Sequence, residues 1–334
     1  MSYPYPKAVS LSVDAIGEVE RLIARNTETT GNLGAAARYL LERPGKQVRV
    51  RLCLDLAHSL RLPPQDGVIL AAAVEMLHSA SLVLDDVQDS DDMRRDRPTV
   101  WRKFGKIQAI NLGAYLIAQS FTLAARLPGA SPYFALALSD ATTGQSAEMD
   151  FQAEIPTLAA YNAMAEKKTG ALFSLPAQAA AVLAKLPDHT VSQIGLAFAQ
   201  LGIAYQLQDD LADALGLKGR ARAGLDLREG KANGIVVLHL ALKPADLAEF
   251  LAFQQDCLAR NDDEQLDEWL ERLFASGSVA VAQDYLRNLC DDLVTISTTI
   301  SKPFSAHLSE LAMGIANPAV LQRTNEVLIS HYAS

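Results

Sequence analysis

Six aspartates form the first pattern in this chain that could do chemistry. Asp85, Asp86 and Asp89 spell D-D-x-x-D in "LVLDDVQDSDDMRRDRPTVW", and Asp209, Asp210 and Asp213 repeat it in "YQLQDDLADALG". On a helix, positions four apart lie ~40° apart around the axis and one turn along it, so Asp85 and Asp89 present their carboxylates to one place. Gln206, Asp209, Asp210 and Asp213 share a face in the same way. Carboxylates gathered at the end of an apolar helix repel one another and lose hydration, so something cationic must neutralise them. With neither histidine nor cysteine inside either motif, the hard oxygen set suits Mg²⁺. That ion binds one or two carboxylates and leaves its other positions to water and phosphate.

Basic residues supply the complementary charge. Arg94 and Arg95 follow the first motif, Lys168 sits in "KKTGALF" and Lys231 in "DLREGKAN". Metal ions bridging the acids to a diphosphate, with arginines and lysines on its remaining oxygens, would satisfy all of these charges. Taken singly, an acidic run is more often a solvated helix end or N-cap, which is the reading given to Asp262–Asp263 and Asp291–Asp292. Two matching motifs, each closing a strongly apolar helix, argue against accident.

The elements that must carry these residues are helices. Alanine and leucine dominate, residues favouring strands are scarce, and apolar positions recur at three and four, which predicts an all-α chain. Residues 67–84, "GVILAAAVEMLHSASLVL", are apolar nearly all round and predict a central buried helix; 192–208 predict a second. Residues 244–272 read as peripheral amphipathic helices, and breakers at Pro63–Pro64, Pro98, Pro128–Gly129–Pro132, Pro156, Pro187 and "GLKGRARAG" mark loops between helices along the chain. No low-complexity linker or repeat divides the chain, so 1–334 is expected to be one domain, with the motifs in 40–240 and peripheral helices over 241–334. The net charge of -9 and pI near 5.2 disfavour a surface built for nucleic acid, so any phosphate site is local. Cys53, Cys257 and Cys290 are too scattered for a disulfide framework or zinc cluster, and neither a leader nor a membrane span is expected. A cytoplasmic location follows as the expectation.

Six segments in order, "GKQVR", "EMLHSASLVLDD", "DDVQDSDDMRR", "KTGALF", "QLQDDLAD" and "DLREGK", make the chain resemble the trans-isoprenyl diphosphate synthases, or polyprenyl synthetases. The resemblance implies a helical bundle of the isoprenoid synthase type with a central cavity. Across that cavity the two motifs would hold three Mg²⁺ ions on an allylic diphosphate. Asp85 and Asp89 would bind two ions and Asp209 the third, supported by Asp86, Asp210 and Asp213. Arg94, Lys168 and Lys231 would hold the allylic diphosphate, and Thr169 and Gln206 would orient the reacting carbon, giving Lys168, Thr169 and Gln206 catalytic roles. Isopentenyl diphosphate would be gripped by Lys46, Arg49, His78 and Arg95. His78, seven residues before Asp85, falls ~20° from that residue's face, although a lone histidine in a buried helix is more often a satisfied core residue. Gln145, in "TGQSAEMD", resembles a polar residue near the family's cavity.

The implied reaction ionises the allylic diphosphate, condenses the cation with isopentenyl diphosphate and loses a proton. Ala80 and Ser81 stand where bulky aromatics commonly stop growth, which implies geranylgeranyl diphosphate or a longer product, unless Tyr115 or Phe121 supplies a floor. Leu84, Asp96, Ala114 and Gln47 depart from the usual histidine, glycine, aspartate and arginine. The lysine usual before "GxDL" is missing, leaving Arg220 or Arg222 to replace it. The rivals are a terpene cyclase working on one substrate, a non-catalytic subunit of a heteromeric synthase, and a helical interaction protein. A homodimer is implied by the resemblance.

Overall fold

The computed structural model describes residues 13–151, 155–217, 222–229, 231, 233–260 and 263–316. Arg220 and Asp262 lie outside these residues, as does the side chain of Cys257. In chain order the described helices are α1 (Val13–Asn26), α2 (Gly31–Leu41), α3 (Val48–Ser59), α4 (Pro64–Gln88), α5 (Val100–Phe104) and α6 (Lys106–Ala124). Then come α7 (Ser131–Asp150), α8 (Leu158–Ala165), α9 (Ala171–Leu183), α10 (Asp188–Ala199), α11 (Leu201–Ala214) and α12 (Leu225–Arg228). The last are α13 (Gly234–Leu242), α14 (Leu247–Arg260), α15 (Asp263–Ala275), α16 (Ser278–Ser297) and α17 (Lys302–Ile315). One cluster of buried apolar side chains runs from Val19 in α1 to Ile315 in α17.

Helix α4 is the central element, and its sequence explains why. Pro64 occupies the first turn, where its missing N–H costs nothing. From Val68 to Val74, and again at Met76 and Leu77, every side chain is buried, each large one contributing about 1.5–3 kcal/mol. Partners on every side, α3, α6, α1 and α9, accept this all-round apolar surface. By length and hydropathy α4 could cross a membrane, and it is the one described helix that could, but it lies in the core. Its carboxyl end delivers Asp85 and Asp86 within the helix, with Asp89 as the C-cap.

Two local features depart from the sequence expectation. The helix expected over 192–208 is two helices, α10 and α11, kinked at Gln200. The cause is a backbone contact: a Cβ on Gly202 would lie 2.3 Å from Gly170 N, and one on Gly170 would lie 2.0 Å from Ala199 O. The chain after the first motif is a hairpin, with β1 (Met93–Arg94) pairing antiparallel with β2 (Arg97–Pro98). Arg95 and Asp96 form its turn with φ of 54° and 60°. Both central residues of such a turn need positive φ, which explains why glycine is usual where Asp96 stands and why aspartate is tolerated there.

The expected peripheral helices are α14 and α15, whose inner faces bury Phe250, Phe253, Leu266 and Trp269. His239 ties them to the bundle, with Nε2 3.0 Å from Asp246 and Nδ1 3.0 Å from the hydroxyls of Ser276 and Ser278.

Candidate active site

The ends of α4 and α11 open onto a cavity of about 630 Å³. Asp85 from α4 and Asp209 from α11 face it together, with Lys46, Arg49, His78, Arg94, Arg95, Lys168, Thr169, Gln206 and Ser81. Leu82, Ile117, Leu138 and Ala141 make its apolar wall. The structure thus brings to one cavity most of the side chains singled out in the sequence. Asp86, Asp89, Asp210, Asp213, Lys231 and Ala80 are not part of its lining.

Asp86 is buried and accepts from Arg94 Nε at 2.6 Å, which holds the hairpin against the helix that precedes it. Asp210 accepts from Tyr161 Oη at 2.7 Å, from Gly234 N at 2.6 Å and from Gln206 Nε2 at 3.2 Å. Asp213 accepts from Asp226 N at 3.0 Å and so anchors the turn leading to Lys231. These three carboxylates organise the backbone around the cavity. Thr169 Oγ1 donates to Gln206 Oε1 at 3.2 Å, extending the Asp210 network to the cavity surface.

Lys231 Nζ lies 3.2 Å from Asp89, 3.4 Å from Asp91 and 2.9 Å from Glu229. Burial would lower its ammonium, but Glu229, Asp89 and Asp91 together push it above its ordinary value. Lys168 is ion-paired with Glu148. There too burial is outweighed, chiefly by Glu148 and then Asp85. Lys168 and Thr169 sit on a π-helical turn, Glu166–Gly170, inserted between α8 and α9. Such turns re-aim side chains out of a helix, and this one is wedged where a Cβ on Gly144 would lie 2.3 Å from Lys168 N.

Arg49 is fixed on three sides. Its Nε donates to Leu172 O at 3.2 Å, its guanidinium stacks 4.5 Å from the Phe173 ring centre, and Nη1 lies 3.3 Å from His78 Nε2. A guanidinium only donates, so His78 Nε2 accepts and the ring proton sits on Nδ1. Burial, then the charges of Arg49, Arg95 and Arg94, hold His78 well below the usual histidine range and keep it neutral. Arg95 donates from Nη1 to Arg43 O at 2.8 Å and lies against Gly45, where a Cβ would be 2.3 Å from its Nη2.

Without a cation the acids are strained electrostatically. Burial pushes Asp85 up to about 7, opposed by Lys168 and reinforced by Asp89, and pushes Asp86 up to about 6 against the pull of Arg94. Among the described residues no three acids, histidines or cysteines lie close enough to cage an ion by themselves. A hard cation that keeps waters and takes phosphate oxygens fits this arrangement, because it needs only one or two carboxylates from each side.

Three neighbours of the cavity residues escaped the sequence reading. Glu148 lies three residues after Gln145 on the same helix face, a spacing that could have flagged it. Tyr205 precedes Gln206 and lines the cavity, with its ring 5.4 Å from that of Phe173. Glu75 lies in "EMLHSASLVLDD", three residues before His78, and also lines the cavity. Arg222, one of the two candidates to replace the missing lysine, pairs with Asp263 at 2.7 Å and with Asp267 on α15. Leu84, where histidine is usual, packs on α6, and a Cβ on Gly113 would meet its Cδ2 at 2.7 Å.

The polyprenyl synthetase family profile matches residues 31–271. The chain belongs to this family. This polyprenyl synthetase is 33% identical over 220 residues to a short chain isoprenyl diphosphate synthase of Methanocaldococcus jannaschii, the match covering 63% of this chain and 66% of that one. A geranylgeranyl pyrophosphate synthase of Zymoseptoria tritici is 27% identical over 297 residues, 84% of this chain and 88% of the relative. A polyprenyl synthase of Caulobacter crescentus, solved with calcium and isoprenyl diphosphate, superposes with a TM-score of 0.81 at 26% identity, over 95% of this chain and 98% of that one. The all-α isoprenoid synthase fold and a prenyltransferase activity follow from this membership.

Proposed function

We propose that this polyprenyl synthetase condenses isopentenyl diphosphate with an allylic diphosphate in a Mg²⁺-dependent reaction, giving geranylgeranyl diphosphate or a longer product. One observation carries the reading: a single cavity has acids from α4 and α11 at one end, five cationic side chains on its walls and an apolar side beyond Ser81. A cyclase has no need of Lys46, Arg49, His78 and Arg95 facing the reaction space, and a purely structural subunit has no need of the acids.

Asp85, Asp89 and Asp209 would hold the metal, three ions by the family pattern, and Mg²⁺ so placed supplies charge neutralisation to the departing diphosphate. Arg94, Lys168 and Lys231 bind the same diphosphate, its oxygens taking the place of Glu148 on Lys168 and sharing Lys231 with Asp89. As the allylic C–O bond breaks, the Thr169 and Gln206 oxygens and the Tyr205 ring face the developing cation, where fixed dipoles lower the barrier. Lys46, Arg49, His78 and Arg95 hold isopentenyl diphosphate so that its double bond meets that carbon. A new C–C bond forms and the proton lost goes to the released diphosphate, so no dedicated side-chain base is required. Leu82, Ile117 and Leu138 keep water from the cation and make room for the growing chain.

The unit is a single domain over 1–334, working in the cytoplasm as a homodimer. Support for the dimer is the exposure of the large apolar side chains Ile107 and Ile110 on α6 and Leu136 on α7. Incubation of the purified protein with Mg²⁺, isopentenyl diphosphate and allylic diphosphates of increasing length tests the reading. Elongated diphosphates support it; a cyclic hydrocarbon, or turnover only with an added partner, overturns it. Sedimentation at micromolar concentration checks the dimer.

A further inference from the structure

The catalytic assignments leave the Glu75 carboxylate on the cavity wall unused. Glu75 lies in α4, where its neighbours Val74 and Met76 are fully buried apolar residues, yet it turns to the cavity wall shared by Lys46, Arg49, His78 and Arg95. Its Oε2 is shielded from solvent and has no hydrogen-bond partner among the described residues. A carboxylate in that state destabilises the helix unless a nearby cation compensates it. The cations around the acid motifs are already engaged: Lys168 with Glu148, Arg94 with Asp86, Lys231 with Asp89, Asp91 and Glu229. Arg49 and Arg95, which line the same cavity, act attractively on Glu75.

Those two guanidiniums come from different elements and face one cavity. Arg49 uses one donor on Leu172 O and another on His78, and Arg95 uses Nη1 on Arg43 O, so donors remain on both for the cavity. Arg95 is further held on a backbone with φ of 54°, a conformation a bulky residue adopts only when its surroundings impose it.

We propose that Glu75 is a positioning residue of the isopentenyl diphosphate subsite, its carboxylate drawing the Arg49 and Arg95 guanidiniums together so that they meet one diphosphate. The proposal rests on the assignment of that subsite above. Burial pushes the Glu75 carboxyl up to about 7, against Arg49 and Arg95. The ionised form positions the arginines, so affinity for isopentenyl diphosphate rises as pH increases through that value. The other titratable or charged groups around Glu75 are Cys53 on α3, His78 on α4 and Lys46; burial raises Cys53 well above its ordinary value and holds His78 neutral.

The test is Glu75→Gln, with Glu75→Asp beside it, read by steady-state kinetics in each substrate and by calorimetric titration of isopentenyl diphosphate into the enzyme. Loss of the negative charge that attracts both guanidiniums is expected to raise KM and Kd for isopentenyl diphosphate about tenfold. KM for the allylic substrate and the thermal midpoint should hold, the rise in affinity between pH 6 and pH 8 should vanish, and Glu75→Asp should recover part of the affinity. Equal changes in both KM values, unchanged binding, or tighter binding of isopentenyl diphosphate would overturn the proposal. If the wild-type protein elongates nothing, the functional reading fails separately, and the titration still decides whether Glu75 governs diphosphate affinity.

Discussion

Lys231 Nζ lies 3.2 Å from Asp89 Oδ2, so the first acid motif is tied directly to the loop that follows the second. Lys231 is also the point where three carboxylates converge, with Asp91 and Glu229 completing the set. Replacing it with methionine leaves those acids uncompensated in a largely buried place. Lys231→Met is expected to lower stability by about 3 kcal/mol in the metal-free protein, since breaking a buried pair strands its partners. Added Mg²⁺ should raise the melting temperature of the variant more than that of the parent, and thermal melts with and without the ion check this.

The acids that face the cavity should separate from those that organise it. Asp85→Asn and Asp209→Asn are expected to reduce kcat by on the order of 10²–10³-fold while the fold persists. Asp210→Asn should act on stability, by about 3 kcal/mol, because Tyr161, Gly234 and Gln206 all donate to that carboxylate and the amide presents only one acceptor. Paired denaturation curves and single-turnover rates distinguish the two classes.

That division shows what sequence could and could not reveal. Asp85 and Asp89 were legible because helical spacing alone puts them on one face. The duties of Asp210 and Asp213 were not, since Tyr161, Gly234 N and Asp226 N reach them through tertiary packing. The buried character of α4 followed from a run apolar on every side. The kink at Gln200 did not, because its cause is the approach of Gly170 to Gly202 from another segment. Glu148 stayed hidden for a similar reason: its meaning comes from Lys168, brought to it by a π-helical turn that no local pattern announces.

The raised carboxyls make stability depend on pH in a definite direction. Burial holds Asp85 at about 7 and Asp86 at about 6, above the ordinary aspartate range they regain on unfolding. Between about pH 4 and pH 7 the folded chain therefore binds more protons than the unfolded one, and these residues make stability fall as pH rises. A divalent cation that binds only the folded, ionised form opposes that loss. Urea unfolding at pH 5 and pH 8 should show Mg²⁺ stabilising strongly at the higher pH and weakly at the lower one.

The close backbone contact beneath the π-helical turn makes a further prediction. A Cβ on Gly170 has Ala199 O in its way at 2.0 Å, so Gly170→Ala must push α10 off the π-helical turn or distort the turn itself. Stability is expected to fall by about 3 kcal/mol, the upper range for overpacking. KM for the allylic substrate should rise, because Lys168 and Thr169 move with the turn. Calorimetry and substrate titration report the two effects independently.

Product length should be set by Ser81 more than by Ala80, although the two adjoin in sequence. Ser81 lines the cavity, its hydroxyl turned back to His78 O at 2.9 Å, so its side-chain position borders the space where the hydrocarbon grows. Ala80 is fully buried in a separate cluster with Ala36, Ala37, Ala109 and Leu112, beneath α2 and α6. A phenylalanine at position 81 has cavity space to enter and would block it. Ser81→Phe is therefore expected to shorten the main product by at least one isoprene unit with little change in melting temperature. A phenylalanine at position 80 must displace packed neighbours, so Ala80→Phe is expected to cost about 3 kcal/mol or more of stability. Chromatography of the dephosphorylated products beside a thermal melt decides it. Equal shortening by both variants would mean that the hydrocarbon runs along the α2 side of α4 instead of between α4, α6 and α7.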